Sequence, residues 1–187
     1  KNDRISNYLH FYSPSKTFLD FILKKTDKFK LRNRVQYQYK GERSEYHGGY
    51  HLPDNYAIQS IADVDFEKLE VFQLDLEKKF WCSKEDFKSN ALGYVIMDEN
   101  QLPVAICYSA CVTSKHAEMD TLVLENHRSR GFMRLVSIPF FKKSSEKNLL
   151  THWDTFEENV SSFRMGKKFN PNSITQYKLL SIFFDNK

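Results

Sequence analysis

The sequence lacks any apolar run long enough to cross a membrane, and no signal peptide is recognisable in it. Cysteine is scarce, and the three residues Cys82, Cys107 and Cys111 cannot all form disulfides within the chain. This pattern is typical of reduced thiols inside a cell. We therefore expect a cytoplasmic protein with no membrane partner.

The signatures of several enzyme classes are also missing. The chain has no Gly-x-Ser-x-Gly segment and no pattern around a catalytic cysteine, which argues against hydrolases that use those nucleophiles. His47 and His51 lack the Cys or carboxylate spacing that accompanies a metal site. We therefore expect neither a metal nor a Ser or Cys nucleophile.

The charge is mild for a chain of this length. A net charge of +4 over 187 residues fits an anionic ligand at least as well as a nucleic acid. The basic and aromatic residues of the 24–43 stretch are an interface candidate, but such a run is more often a solvated face. Nucleic acid is therefore not the partner we expect.

Aromatic residues, by contrast, are abundant. The chain contains 16 Phe and 10 Tyr, and 41% of its residues are hydrophobic. This content excludes a disordered chain and favours a sheet-rich core with helices packed on it. We expect residues 1–50 to form an N-terminal helical and basic lobe, and residues 51–187 to form the main domain.

Apolar periodicity predicts the order of the elements. In the first part it predicts a helical segment over residues 8–31, interrupted by Pro14, and a strand over residues 35–39. Further helices are predicted over residues 65–80, from 83–87, over 131–147 and over 159–168. Strands are predicted over residues 56–61, 92–97, 103–108, 118–124, 149–155 and within 173–184. This order indicates an α/β (α+β) fold with a mixed sheet and helices on its faces.

One segment carries most of the information on function. A strand over residues 118–124 leads into a basic turn that contains Gly131, and a helix follows. The first N–H groups of a helix have no helical partners, and its dipole adds roughly half a positive charge there. Arg128 and Arg130 add full charges to the same turn, and the backbone N–H groups from Arg130 to Arg134 lie at the helix start. The segment therefore predicts a cradle for a phosphorylated ligand.

The same region resembles the Gcn5-related N-acetyltransferase (GNAT) superfamily. The family's phosphate loop, Arg/Gln-x-x-Gly-x-Gly/Ala, is matched by Arg128 and Gly131. The more specific matches are Pro53 and Tyr56; Trp81, Ser83, Asp86 and Phe87; Ala117 and Glu118; and His152, Trp153, Asp154, Asn159 and Ser162. Together they are nearest the generic GNAT acetyltransferase subgroup that includes zwittermicin A resistance-type proteins.

This resemblance implies a largely antiparallel sheet with helices on both faces and a splay between the family's fourth and fifth strands. It implies acetyl-coenzyme A as the donor, with its thioester in that splay and a small-molecule amine as the acceptor. The residues implied in coenzyme binding are Thr121, Leu122, Val123, Leu124, Arg128, Ser129, Arg130, Gly131, Phe132, Met133, Arg134, Asn159 and Ser162. Capping of the next helix is the alternative role of Asn159.

The resemblance also implies catalytic residues. Glu118 is the candidate general base, and Asp120 is its rival because it lies on the same face of the strand. Asp154 and Trp153 are candidates for substrate binding, with structural roles as the alternative. The general acid is open between Tyr177, Tyr108 and water, because the position at which many members carry a Tyr is Gly166 here.

Two other positions depart from the family. Met133 replaces the last Gly or Ala of the loop, and the ending after the last helix is Phe169-Asn170-Pro171 rather than Leu-Gly-Phe. The resemblance implies an enzyme that acts by direct attack in a ternary complex. The alternatives are a catalytically weak acetyl-coenzyme A sensor and an acetyltransferase with an RNA- or ribosome-associated substrate. A homodimer is left open.

Overall fold

The computed structural model describes residues 8–43, 49–74, 76 and 81–184. These residues form eight strands and five helices. The strands are β1 (Tyr8–Tyr12), β2 (Phe29–Tyr39), β3 (Ala57–Ser60), β4 (Gly93–Met97), β5 (Pro103–Val112), β6 (His116–Val123), β7 (Leu150–Phe156) and β8 (Ser173–Phe183). The helices are α1 (Lys16–Leu23), α2 (Phe66–Leu69), α3 (Lys84–Asn90), α4 (Phe132–Glu146) and α5 (Val160–Lys168).

All eight strands belong to one open sheet, in the order β1-β8-β2-β7-β6-β5-β4-β3. Neighbours are antiparallel except β6 and β7, which run parallel. A parallel neighbour needs a crossover connection, and α4 provides it between β6 and β7. The predicted mixed, largely antiparallel sheet is therefore confirmed.

The parallel pair is short. Its register joins His116 to Leu150, Ala117 to Thr151 and Glu118 to His152, and it ends there. Strand β6 nevertheless continues to Val123, and β7 continues to Phe156. The two strands diverge beyond Glu118, which confirms the predicted splay.

Two core layers cover the two faces of the sheet. On β5, Ala105 and Cys107 point to the layer under α4 and α5, and Ile106 and Tyr108 point to the layer that contains Phe87 of α3. Most of β5 is buried because both of its faces are covered. This arrangement confirms that helices lie on both faces.

The helical segment predicted over residues 8–31 is wrong for most of its length. Only α1 is helical there, and β1 and β2 flank it as strands of the sheet. Strand β1 pairs with the distant β8, and this pairing overrides the near-helical spacing of the aromatic residues. The division near residue 50 stays a prediction, although β1 and β2 belong to the same sheet as the rest.

The helix predicted over residues 65–80 is also wrong for the described residues that follow Leu69. Helix α2 gives way to a 3-10 turn over Glu70–Phe72, and Gln73 then adopts a left-handed φ of 49°. Leu74 lies outside any helix and Leu76 has 3-10 geometry, and both are buried in the core layer that contains Phe87 of α3. Residues 75 and 77–80 lie outside the described residues, as does His47 of the turn predicted over residues 47–51.

Gly166 shows how closely α5 packs on the sheet. A Cβ atom at this position would overlap the ring of Tyr37 on β2. The Tyr37 hydroxyl donates to the carbonyl oxygen of Phe163 at 2.9 Å, and the Tyr39 hydroxyl donates to that of Gly166 at 2.7 Å. Tyr37 thus occupies the space that a side chain at position 166 would need.

This packing predicts the effect of Gly166→Ala. The substitution gains about 1 kcal/mol of helix propensity, but overpacking against the fixed Tyr37 ring typically costs about 1–3 kcal/mol. We expect a net loss of up to about 2 kcal/mol in the free energy of unfolding, measured by urea denaturation. Arg164→Ala, at an exposed position of α5, is the control and should change it by less than about 0.5 kcal/mol. Higher stability of Gly166→Ala than of wild type would contradict this packing.

Candidate active site

A cavity of about 930 Å³ lies where β6 and β7 separate. It is bounded by the two strands, by the turn that leads into α4 and by the first turn of α5. The predicted site residues that line it are Glu118, Asp120, Thr121, Leu122, Val123, Arg128, Ser129, Gly131, Phe132, Met133, Arg134, Trp153, Asp154, Asn159 and Ser162. The fold therefore brings residues from three separate segments to one place.

Two of the predicted coenzyme contacts do not line the cavity. The N–H of Leu124 donates to the carbonyl oxygen of Val104 at 2.9 Å, so this residue still belongs to the sheet. An Arg130 Nη1 group donates to the hydroxyl of Tyr56 at 3.2 Å. Coenzyme contacts by Leu124 and Arg130 stay predictions.

The turn before α4 presents a row of backbone donors. Ser129 and Gly131 adopt left-handed φ angles of 64° and 80°, and α4 begins at Phe132. Among the described residues, no acceptor pairs with the backbone N–H groups from Ser129 to Met133. Adjacent free N–H groups at the positive end of a 15-residue helix form a site for an anion.

Gly131 is required at this turn for two reasons. Its φ of 80° is unfavourable for other residues, and a Cβ atom would overlap the ring of Tyr50, which lies against the turn. The departure at Met133 is accommodated, because its side chain packs against the core layer under α4 while its N–H stays free.

Strand β6 offers a second row of backbone groups. It is paired with β5 along its length, but its other edge has no strand partner from Met119 to Val123. An extended ligand that carries amide groups can pair with this edge as another strand would. The edge runs between Glu118 and the turn from Ser129 to Met133, here called the anion-binding turn, so it connects the two ends of the cavity.

Two carboxylates from β6 lie on the face of the sheet away from α4. Asp120 accepts a hydrogen bond from the Tyr108 hydroxyl at 2.9 Å and one from the N–H of Thr121 at 2.8 Å. Burial and the neighbouring carboxylate raise the pKa of Tyr108, so its hydroxyl stays protonated and continues to donate. Asp120 is therefore held by fixed donors.

Glu118 has a different environment. Burial, followed by the negative charge of Asp154, raises the pKa of its carboxyl to about 7, and the positive charge of Arg34 acts in the opposite direction. A carboxyl with a pKa near neutrality can both accept and release a proton under ordinary conditions. By this property Glu118 is suited to proton transfer.

Asp154 belongs to a three-residue cluster that spans three strands. Its Oδ1 accepts from Arg34 Nε on β2 at 2.6 Å, and its Oδ2 accepts from the Tyr177 hydroxyl on β8 at 2.5 Å. Burial, then the bond to Asp154, raises the pKa of Tyr177. Substrate binding by Asp154 stays a prediction, and both of its oxygens already have partners.

The predicted residues of α5 and its neighbouring strand point to the opposite face. Trp153 is buried and donates its indole N–H to Ser162 Oγ at 2.9 Å. Asn159 caps α5, because its Oδ1 accepts from the N–H of Ser162 at 3.3 Å. These bonds fix the wall of the cavity, and direct ligand contacts by the three residues stay predictions.

Sequence reasoning missed Arg34, Tyr50 and Phe156, which all line the cavity. Arg34 and Tyr50 precede every recognised motif. The alternation along residues 35–39 was a usable signal, because extending it backward would have placed Arg34 on the same face as Gln36. The pairing of β2 with β7 brings Arg34 diagonally across from Asp154, and it has no local signature in the sequence.

Within the described ranges, no three His, Cys, Asp or Glu side chains are arranged to hold a metal ion. No helix in those ranges has the length and apolar character needed to cross a membrane.

The chain is similar to known acetyltransferases in sequence pattern and in fold. A family model described as GNAT acetyltransferase matches residues 3–180. No curated protein matches the chain. Among solved structures, a GCN5-related N-acetyltransferase-like protein from Streptococcus suis is 18% identical, with a TM-score of 0.67 over 88% of this chain and 68% of its own.

Two further structures share the fold at lower identity. A GCN5-related N-acetyltransferase from Kribbella flavida is 11% identical, with a TM-score of 0.60 over 96% of this chain and 68% of its own. A tandem GNAT protein from the clavulanic acid biosynthesis pathway is 9% identical, with a TM-score of 0.62 over 96% of this chain and 64% of its own.

The environment of Glu118 predicts a pH-dependent stability. Its carboxyl has a pKa of about 7 when folded, against an ordinary value of 4.5. The folded state therefore holds this proton more tightly, so the carboxyl's contribution is fully present below pH 4.5 and is lost as the pH rises through about 7. Wild type should therefore lose stability that Glu118→Gln keeps. The free energy of unfolding of Glu118→Gln minus that of wild type should rise between pH 4.5 and pH 8, by up to about 3 kcal/mol.

The measurement is urea denaturation of both proteins from pH 4.5 to pH 8. Glu99→Gln, at an exposed position in the turn between β4 and β5, is the matched control, and its difference from wild type should stay flat across this range. A flat difference for Glu118→Gln as well would contradict the environment described for Glu118.

Proposed function

Because the chain belongs to the GNAT acetyltransferase family, we propose that it transfers the acetyl group of acetyl-coenzyme A to a primary amine of a small molecule. One observation carries this proposal: the open edge of β6 runs from the free N–H groups at the start of α4 to Glu118. A single cavity thus joins an anion site, a backbone edge and a titratable carboxyl.

The residues of this cavity fit the donor. The free N–H groups from Ser129 to Met133 would hold the pyrophosphate, and Arg128 would add a charge-assisted bond. The unpaired edge of β6 from Met119 to Val123 would pair with the amides of the pantetheine arm. When bound there, acetyl-coenzyme A supplies an acetyl group activated as a thioester.

The acceptor amine must lose a proton before it can attack. An amine with a lysine-like pKa of about 10.4 is mostly protonated at pH 7, and its neutral form lies about 4.6 kcal/mol higher. Glu118 would remove this proton, directly or through water, and a positioned base of this kind contributes about 10²–10⁴-fold. A backbone N–H of β6 would polarise the carbonyl oxygen.

We assign no general acid. The family's usual position is Gly166, whose surrounding space is filled by Tyr37. The two tyrosines near the carboxylates, Tyr108 and Tyr177, both donate their hydroxyl hydrogens to Asp120 and Asp154. Water is the remaining proton source for the leaving thiolate.

The anion-binding turn can be tested by mutation. Gly131→Val forces an unfavourable φ and an overlap with Tyr50, and Arg128→Ala removes a charge. Each should weaken coenzyme A binding, measured by titration calorimetry, by about tenfold or more, and each should raise the KM for the acetyl donor. Lys142→Ala, at an exposed position of α4, is the control and should leave both values unchanged. Unchanged coenzyme A binding in both Gly131→Val and Arg128→Ala would show that the donor does not bind at this turn.

The base can be tested by comparing the two carboxylates of β6. With an amine that wild type accepts, kcat/KM should rise as the pH rises through about 7, because Glu118 must lose its proton to act. Glu118→Gln should lower kcat/KM at pH 8 by about 10²-fold or more. Asp120→Asn should lower it less, because Asp120 is held by Tyr108 and by the N–H of Thr121.

A larger loss of kcat/KM in Asp120→Asn than in Glu118→Gln would indicate that Asp120 is the base. Binding of coenzyme A without turnover of any amine would contradict the proposed activity and favour a sensor of acetyl-coenzyme A.

A further inference from the structure

Arg34 is held in the cavity by contacts on two sides. Its side chain is only 19% exposed, and its Nε donates to Asp154 Oδ1 at 2.6 Å. Its guanidinium carbon lies 4.4 Å from the centre of the Phe156 ring. Arg34 and Phe156 both line the cavity. An arginine held in this way is pre-organised, so it loses little conformational freedom when it binds a ligand.

The two Nη groups of Arg34 remain available. Among the described residues, none accepts a hydrogen bond from them. In the described residues, the fully buried side-chain nitrogens that lack a hydrogen-bond partner are Arg43 Nε, His127 Nδ1 and His152 Nδ1. The Nη atoms of Arg34 are not among them, so they are accessible to a ligand. A largely buried guanidinium therefore presents unpaired donors at the cavity.

The cavity has carboxylates on one side and this guanidinium on the other. Glu118 and Asp120 project from β6, and Arg34 projects from β2 beyond the intervening β7. We propose that the acceptor is an amine that also carries a carboxylate, with its carboxylate bound by the Nη groups of Arg34 and its amine directed to Glu118. This inference rests on the proposed function.

The charge balance of the cavity favours a carboxylate over a phosphate. The planar fork of a guanidinium can bind two oxygens of either group, so its shape does not separate them. The charge of Arg34 is already shared with Asp154, whose oxygens are both occupied by hydrogen bonds. A phosphate of nearly two negative charges would meet Asp154 and Glu118 with only one partly compensated cation, whereas a carboxylate carries one charge.

The same arrangement would select against amines without an acidic group. Such an amine would leave the Nη groups of Arg34 unpaired once it displaced water from the cavity, which is costly for a buried charged donor. Sites built to bind a polar group discriminate strongly against analogues that lack it. Selectivity should therefore appear between molecules that differ only in the carboxylate.

The test compares amino acids with their decarboxylated counterparts: L-ornithine with putrescine, L-histidine with histamine, and L-tyrosine with tyramine. For the best pair, wild type should show at least a tenfold higher kcat/KM for the amino acid. Arg34→Met should reduce this ratio to within about threefold of one. Arg34→Gln, which can still donate to Asp154 but has no charge, should lower the ratio in the same direction and guards against misfolding of the first variant.

Arg32→Met is the matched control. Arg32 lies on the same strand, stacks on the same Phe156 ring at 3.2 Å and pairs with the exposed Glu158 at 2.6 Å, but it does not line the cavity. Its removal should leave the ratio unchanged. An effect of Arg34 on the reactivity of Glu118 would change kcat/KM for both members of a pair alike, so it cancels in the ratio of the two.

Equal use of both members of every pair by wild type would overturn the inference, as would an Arg34→Met variant that keeps the wild-type ratio. If no amine in the panel is acetylated, equilibrium binding of the same pairs to the coenzyme A complex replaces turnover. Binding preference for the amino acid that depends on Arg34 would then support this inference while the proposed transferase activity fails. Binding without such a preference would overturn it.

Discussion

The hydrogen bonding between β6 and β7 stops after Glu118, and the candidate site depends on that interruption. A continuous parallel pair would have satisfied the backbone of β6 and closed the cavity. Instead, α4 separates the two strands in the chain and starts at a turn with left-handed residues, so its free N–H groups face the same opening. One local break in pairing thus produces both the backbone edge and the anion site.

The sheet divides the cavity chemically into two sides. Trp153, Ser162 and Asn159 bond to one another beside α5 and give a rigid wall. On the other face, side chains from β2, β6, β7 and β8 assemble the ionisable groups, including Glu118 and Arg34. Because these groups stand on adjacent strands rather than on loops, their separations are fixed by the sheet.

The sequence predicted the parts of the site that are contiguous or follow local rules. The turn at Gly131 needs a left-handed residue before a helix, and Asn170 takes the positive φ of 49° that Asn tolerates after one. The helix expected around residues 8–31 failed because Tyr8–Tyr12 pair with β8, some 170 residues away. Arg34 was missed for the same reason. Its partner Asp154 is distant in the sequence, and the two side chains meet only because β2 pairs with β7.

The contact between Tyr37 and Gly166 also bears on how such a chain could diverge from relatives that have a tyrosine on the helix. The two positions share one volume, and an aromatic ring fits from the strand or from the helix but not from both. Changing one position at a time would therefore leave either an overlap or a void. A side chain at position 166 needs a matching change on β2, so the two positions can be substituted only as a pair.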